Sequence, residues 1–144
     1  MNKQTTLIWT DGACSGNPGK GGWGALIRHN NKDIELSGSE ENTTNNRMEM
    51  MAVIKALEKI SNNYKIILYT DSKYVKDGIT IWILNWKKNN WKNSQKKDVK
   101  NKDLWLRLDI LSQKFDIDWV WVKGHSDNIE NNIADSLATS AINN

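Results

Sequence analysis

Along the first sixty residues, the spacing of apolar and polar positions changes once, from a period of two to a period near four. That change divides a group of strands from a helix. Leu7, Trp9 and Asp11 share one face of a strand and Ile8, Thr10 and Gly12 the other, so Asp11 ends a face that is otherwise apolar. Asn17-Pro18-Gly19-Lys20-Gly21-Gly22 reads as a turn. Trp23 to Arg28 and Lys32 to Gly38 flank His29-Asn30-Asn31 as a hairpin, which places His29 at a strand end and predicts three antiparallel strands. From Thr43 or Thr44 the period lengthens. Asn and Thr caps precede a helix reaching Ile60, with Val53, Ala56, Leu57 and Ile60 as its apolar stripe.

Lys65 to Ser72 then repeats the design of the first strand, with Asp71 at the end of the face shared by Ile67 and Tyr69. Ser72 to Ile83 reads as helical and Leu104 to Leu111 as a further helix. Phe115 to Val122 alternates as a strand, and a closing helix runs from about Asn128 to Ile142. The predicted order is three strands, a helix, a strand, helices, a strand and a final helix.

Composition narrows this picture. The 144 residues suit one domain, 1–144, able to bury about two-thirds of its unfolded surface. A formal charge of +3 permits a nucleic-acid partner without requiring one. Cys14 is the sole cysteine, which excludes an internal disulfide and fits a reducing compartment. No apolar run approaches a membrane span, and Met1-Asn2-Lys3-Gln4 lacks the apolar core of a signal peptide, so a cytoplasmic monomer is expected. Abundant Lys, Asn and Ile reflect an AT-rich coding bias, which discounts any reading based on lysine number alone. The glycines after Asp11 are not followed by Gly-Lys-Ser/Thr, which argues against a phosphate-cradling loop.

Candidate chemistry lies in acids placed where acids are rare. One turn before Val53 stands Glu49, on the stripe that packs toward the sheet. Alone it reads more readily as a helix-start glutamate serving the macrodipole or a capping box. Asp135 shares a helix flank with Ala138 and Ile142, and His125 follows the last strand in Gly124-His125-Ser126-Asp127. Each alone is an ordinary surface or loop residue. Asp11, Glu49, Asp71 and Asp135 together are four carboxylates whose elements can meet at one sheet edge, where they repel unless neutralised. With no Cys or paired His beside them, the oxygen-only set favours Mg²⁺ or Mn²⁺ over zinc. Two such ions suit phosphodiester cleavage. A tract at about 82–100 interleaves Trp82, Trp86 and Trp91 with Lys87, Lys88, Lys92, Lys96 and Lys97. It reads either as a solvated face or as a polyanion-binding protrusion.

Five blocks carry a resemblance: Trp9-Thr10-Asp11-Gly12-Ala13-Cys14-Ser15-Gly16-Asn17-Pro18-Gly19, Thr44-Asn45-Asn46-Arg47-Met48-Glu49, Tyr69-Thr70-Asp71-Ser72, Val120-Trp121-Val122-Lys123-Gly124-His125 and Ala134-Asp135. In order and spacing, from about Thr5 to Ala141, they resemble the signature blocks of bacterial type 1 ribonuclease H. The resemblance implies a mixed α/β fold: a five-stranded mixed sheet, its first three strands antiparallel, flanked by helices on both faces. It implies cleavage of the RNA strand of RNA–DNA hybrids with two Mg²⁺ (or Mn²⁺) ions, leaving 5′-phosphate and 3′-hydroxyl ends. Asp11, Glu49, Asp71 and Asp135 become metal ligands, and His125 serves proton transfer or product departure. Cys14, Gly16, Asn17, Asn45, Asn46 and Lys73 fall at RNA-strand contacts, and Thr44, Tyr74, Trp82 and Asn101 at DNA-strand contacts. The chain departs from the family pattern at Lys73, where an amide is common, and at Asn132, where Glu is common. A non-cleaving hybrid-binding module is the alternative, though it is expected to lack one of the four acids. A transposase core or the nuclease domain of a reverse transcriptase would bring flanking domains, for which 144 residues leave no room. A two-carboxylate glycosidase would leave two acids and the Lys/Trp tract unexplained.

Overall fold

Alternating patterns become β1 (Thr5–Cys14), β2 (Gly19–His29), β3 (Lys32–Thr43), β4 (Lys65–Thr70) and β5 (Asp116–Trp121) in the computed structural model, which describes residues 5–61, 65–123 and 128–143. They form one sheet in the order β3-β2-β1-β4-β5, in which β2 pairs antiparallel with both β1 and β3, while β4 pairs in parallel with both β1 and β5. The helices are α1 (Asn45–Lys59), α2 (Lys73–Asp77), α3 (Ile83–Lys88), α4 (Lys102–Lys114) and α5 (Ile129–Ile142), with a π-helical turn over Gly78–Trp82 between α2 and α3.

Strand parity separates two cores. Ile8, Ala25, Ile27, Ile66 and Leu68 face Val53, Ile54 and Leu57 of α1 and Leu104, Trp105 and Leu108 of α4. On the opposite face, Trp9 and Leu26 pack against Ala134 of α5, with Leu7, Tyr69 and Ile133 around them. Helices therefore cover both faces. Asp11 shares the parity of Trp9, which directs it toward the α5 side. Among the described residues, no helix is long and apolar enough to cross a membrane.

Several boundaries differ from the sequence reading: β3 runs on to Thr43, past Gly38, and α4 spans Lys102–Lys114, beyond Leu104 to Leu111 at both ends. Lys20-Gly21-Gly22 lies within β2 and not in a turn, and the connection from β1 shrinks to Ser15–Pro18, closed by Ser15 N–H donating to the Lys20 carbonyl at 2.8 Å. The glycines there serve packing. A Cβ on Gly24 would overlap the Ala134 carbonyl oxygen, so a bare backbone lets α5 lie directly on β2. The helix that starts after Ser72 runs on through the π-helical turn to Lys88, where the sequence reading stopped at Ile83.

Candidate active site

β1 and β4 run in parallel, and their last paired residues are Thr10 and Thr70. Asp11 and Asp71 each follow immediately, so two neighbouring strands deliver carboxylates side by side. Asp71 ends its strand as the sequence suggested. Asp11 does not: β1 continues to Cys14, held by β2 through the pairing Asp11↔Gly24, and Asp11 marks only the point where β4 leaves.

Glu49 arrives from the first turns of α1. Thr44 caps that helix, its Oγ1 accepting from Arg47 N–H at 3.3 Å, and no acid lies in the first turn. Glu49 is the fifth helical residue, too far along for a capping box, so the bland reading of this glutamate fails. The helix comes this close because residue 12 lacks a side chain: a Cβ on Gly12 would overlap the backbone of Met48 and Glu49. One carboxylate oxygen from each of Asp11, Glu49 and Asp71 falls within 4.8 Å of the others.

Asp11 and Glu49 are each 5% exposed. Burial first, then the charge of Asp71, pushes the Asp11 carboxyl up to about 8, and a hydrogen bond with Asp135 adds to the rise, partly offset by Gly12 N–H donating to Asp11 Oδ1 at 2.9 Å. Burial also holds Glu49 well above the usual carboxylate range, with the charges of Asp11 and Asp71 contributing. Glu49 Oε1 and Asp71 Oδ1 are buried and accept no hydrogen bond. Such atoms are costly to leave unpaired. An oxygen-only set of this span, with two unsatisfied buried acceptors, fits a hard divalent cation. Asp135 on α5 touches Asp11 but stands outside the 4.8 Å group of three. His125 lies outside the described residues.

The residues expected at strand contacts lie on the elements that carry these acids or on the segments next to them in the chain and the sheet. The Cys14 thiol donates to the carbonyls of Thr43 (3.4 Å) and Gly19 (3.5 Å), tying the β1 end to the start of β2 and the end of β3. Gly16 has φ 143, and Asn17 Oδ1 accepts from Asn45 N–H at 3.2 Å, joining the turn to the α1 N-terminus beside Asn46. Thr44 is the cap itself. Lys73 opens α2, its Nζ 5.0 Å from the Trp121 ring centroid. Asn101, left-handed with φ 61, donates from Nδ2 to the Tyr74 hydroxyl at 3.0 Å, and Tyr74 meets Trp82 edge-on at 5.7 Å.

The basic tract is not uniform. Trp86 and Trp91 pack against the core, whereas Trp82 is 37% exposed. Lys87 pairs with Asp109 at 2.8 Å and Lys92 with Asp98 at 2.6 Å; among the described residues Lys88, Lys96 and Lys97 form no ion pair. The sequence reading treated these five lysines alike; acids elsewhere in the fold already engage two.

Two organising residues escaped the sequence reading. Arg47 grips Asp103 with both terminal nitrogens (3.0 and 2.8 Å) and donates to Asn101 Oδ1 at 3.2 Å, fixing α4 against α1. Trp121 donates from Nε1 to the Asp71 carbonyl at 3.2 Å. Both contacts join distant segments and leave no local periodic signal.

Sheet order, mixed strand direction and acids gathered where β1 and β4 part define a ribonuclease H-like fold. Residues 3–143 match the ribonuclease H (RNase H) family. A ribonuclease H of Francisella philomiragia subsp. philomiragia is 55% identical over 140 residues, 97% of this chain and 92% of that protein. Among solved structures, LC9-RNase H1, a type 1 RNase H with the type 2 active-site motif, matches with TM-score 0.87 at 28% identity over 99% of this chain and 74% of that one. LC11-RNase H1, crystallised with an RNA/DNA hybrid, matches in fold with TM-score 0.68 at 24% identity, covering 96% of each chain. The chain belongs to the ribonuclease H family.

Proposed function

We propose that this protein is an endonuclease that hydrolyses the RNA strand of RNA–DNA hybrids with divalent metal ions, leaving 5′-phosphate and 3′-hydroxyl ends. The observation that carries the reading is the convergence of Asp11, Glu49 and Asp71 with two buried carboxylate oxygens unpaired. Family membership supplies the substrate class.

Asp11, Glu49 and Asp71 would hold the metal, Mg²⁺ or Mn²⁺, with Asp135 reaching it from the α5 side through its place beside Asp11. When bound, two such ions activate water and stabilise the leaving oxygen. The protein's own part is to keep the carboxylates dry and close, so that their charge is released to the cation and not spent on solvent. His125 is assigned proton transfer or product departure, since an imidazole titrates near neutrality and is a poor Mg²⁺ ligand. Asn17, Asn45 and Asn46, with Cys14 and Gly16, line the path of the RNA strand. Amides both donate to and accept from 2′-hydroxyls, which DNA lacks. Thr44 and Asn101, the residues that precede α1 and α4, are assigned to the DNA strand together with Tyr74 on α2 and Trp82 at the end of the π-helical turn.

A labelled RNA–DNA hybrid, duplex DNA and duplex RNA, each with and without Mg²⁺, provide the test. Cleavage of the hybrid alone, only with metal, and with 5′-phosphate products supports the reading. Equal cutting of duplex DNA, or undiminished cutting in EDTA, refutes it.

A further inference from the structure

We propose that Lys73 contacts a phosphate of the RNA strand beside the cut, and that Trp121 is the positioning residue that holds its ammonium there. The proposal rests on the hybrid-cleavage reading and deepens it by naming the group touched on the strand. Lys73 is exposed, begins α2 and lies two positions after Asp71. Trp121 ends β5, paired with Thr70, and its ring is fixed by the Nε1–H bond to the Asp71 carbonyl at 3.2 Å. The Lys73 ammonium rests 5.0 Å from that ring's centroid. A flexible lysine is thereby tied to the backbone of an active-site acid through an aromatic face.

The contact leaves the charge available. Arg28 also lies over an indole, that of Trp9 at 5.2 Å, yet it is spent on Asp33 and Glu130. Among the described residues, no carboxylate stands within ion-pair distance of Lys73. Its ammonium leans over Trp121, which leaves Asp71 Oδ1 unpaired. In the sheet order this cation flanks the acids from the β4–β5 side, opposite the Ser15–Pro18 connection between β1 and β2, so a strand crossing the acids from that connection leads toward it. An ammonium only donates and carries a compact charge. A non-bridging phosphate oxygen suits it better than a 2′-hydroxyl, which an amide reads by both donating and accepting.

The test uses hybrids in which each RNA-strand linkage near the cut is made neutral in turn, as a methylphosphonate on a 2′-deoxy sugar. The control carries the same sugar with an ordinary phosphate. For the wild-type protein, one linkage should raise KM about tenfold over its control, as expected for losing a charge-assisted contact. Lys73→Gln should lose that sensitivity, and the log–log dependence of its KM on salt should flatten by roughly one unit. Trp121→Ala should lose the same slope, Trp121→Phe should regain most of it, and Lys73→Gln with Trp121→Ala should lose no more than either alone. A merely loosened fold would not move this slope. Full linkage sensitivity in Lys73→Gln would overturn the phosphate assignment. So would a response to the 2′-deoxy control that vanishes in Lys73→Gln, because the contact would then be a hydroxyl. An unaltered slope in Trp121→Ala would overturn the positioning role. Failure of the wild-type protein to cut any hybrid would sink the parent reading instead, so the two failures are distinguishable.

Discussion

Neutralising Asp11 should make the metal-free protein more stable while removing its activity. The Asp11 carboxyl ionises at about 8 in the fold, against an ordinary value of 3.8, because it is buried beside Asp71 and Asp135. Between those two values the folded state keeps a proton that the unfolded chain has released, so stability falls as pH rises through the window. Each pH unit inside it is worth about 1.4 kcal/mol, which sets a ceiling of ~4 kcal/mol at pH 7. Coupling with Asp71 and Glu49 spreads that strain over several groups, and about half is a realistic recovery from one replacement. Asp11→Asn keeps the side-chain oxygen that accepts from Gly12 N–H, so it removes the charge without removing that bond. In EDTA at pH 7 the variant should melt roughly 5–10 °C above wild type, taking about 3 °C per kcal/mol for a chain of this size. The gap should close toward pH 4, close to the unfolded acid's own value of 3.8, below which the wild-type carboxyl is protonated in both states. It should narrow again in saturating Mg²⁺, which stabilises wild type through binding that the variant has weakened. Melting curves from pH 4 to 8.5, with EDTA and with Mg²⁺, measure all three trends. A metal-free Asp11→Asn protein that melts no higher than wild type at pH 7 would refute the reasoning, as would an advantage that does not shrink on acidification.

Glu49→Gln and Asp71→Asn should each lower hybrid cleavage by orders of magnitude in a folded protein, since both remove a ligand charge; near-normal cleavage by folded Asp71→Asn in Mg²⁺ would displace the proposed site. Asp135→Asn should be milder, because Asp135 stands outside the closest group of three, and a direct comparison of kcat orders them. Replacing Lys88, Lys96 and Lys97 together should raise the hybrid KM and flatten its salt dependence by roughly one log–log unit per phosphate contact. Lys87 and Lys92, already paired with Asp109 and Asp98, should matter less, and equal slopes for the two sets would contradict the distinction. Arg47→Ala frees Asn101 from one of its two partners and should cost about 1 kcal/mol in a melt while raising the hybrid KM; an unchanged KM would detach Asn101 from the DNA strand.

Much of the site could be read because local pattern and chemistry coincide. A strand running into Thr-Asp occurs twice, each Asp closing an otherwise apolar face, and a helix stripe interrupted by Glu49 is legible from spacing alone. The basic tract was legible as charge but not as available charge, since composition counts Lys87 and Lys92 without revealing Asp109 and Asp98 beside them. Arg47 and Asp103 stand 56 positions apart, a separation at which no periodicity operates. The glycines misled for a different reason. A turn and a strand crowded by a helix require the same absent side chain, and only the position of α5 over Gly24 tells them apart.

The placement of Asp11 shows why a correct residue can follow from an incomplete rule. In a parallel pair both strands run the same way, so the residues after the last shared pair emerge side by side. Here that pair is Thr10↔Thr70, and whatever follows on either chain is exposed to the other. β4 stops there. β1 does not, because its other edge is still held by β2, with pairing that reaches Cys14↔Gly21. The extra length sets Gly12 beneath the first turns of α1 and carries Cys14 to the carbonyls of Gly19 and Thr43. A strand that ended at Asp11 would supply the carboxylate but neither the close approach that delivers Glu49 nor the fixed base of the loop assigned to the RNA strand. The acid pair thus depends on where β1 and β4 part, and the third acid and the substrate loop depend on β1 and β2 remaining together.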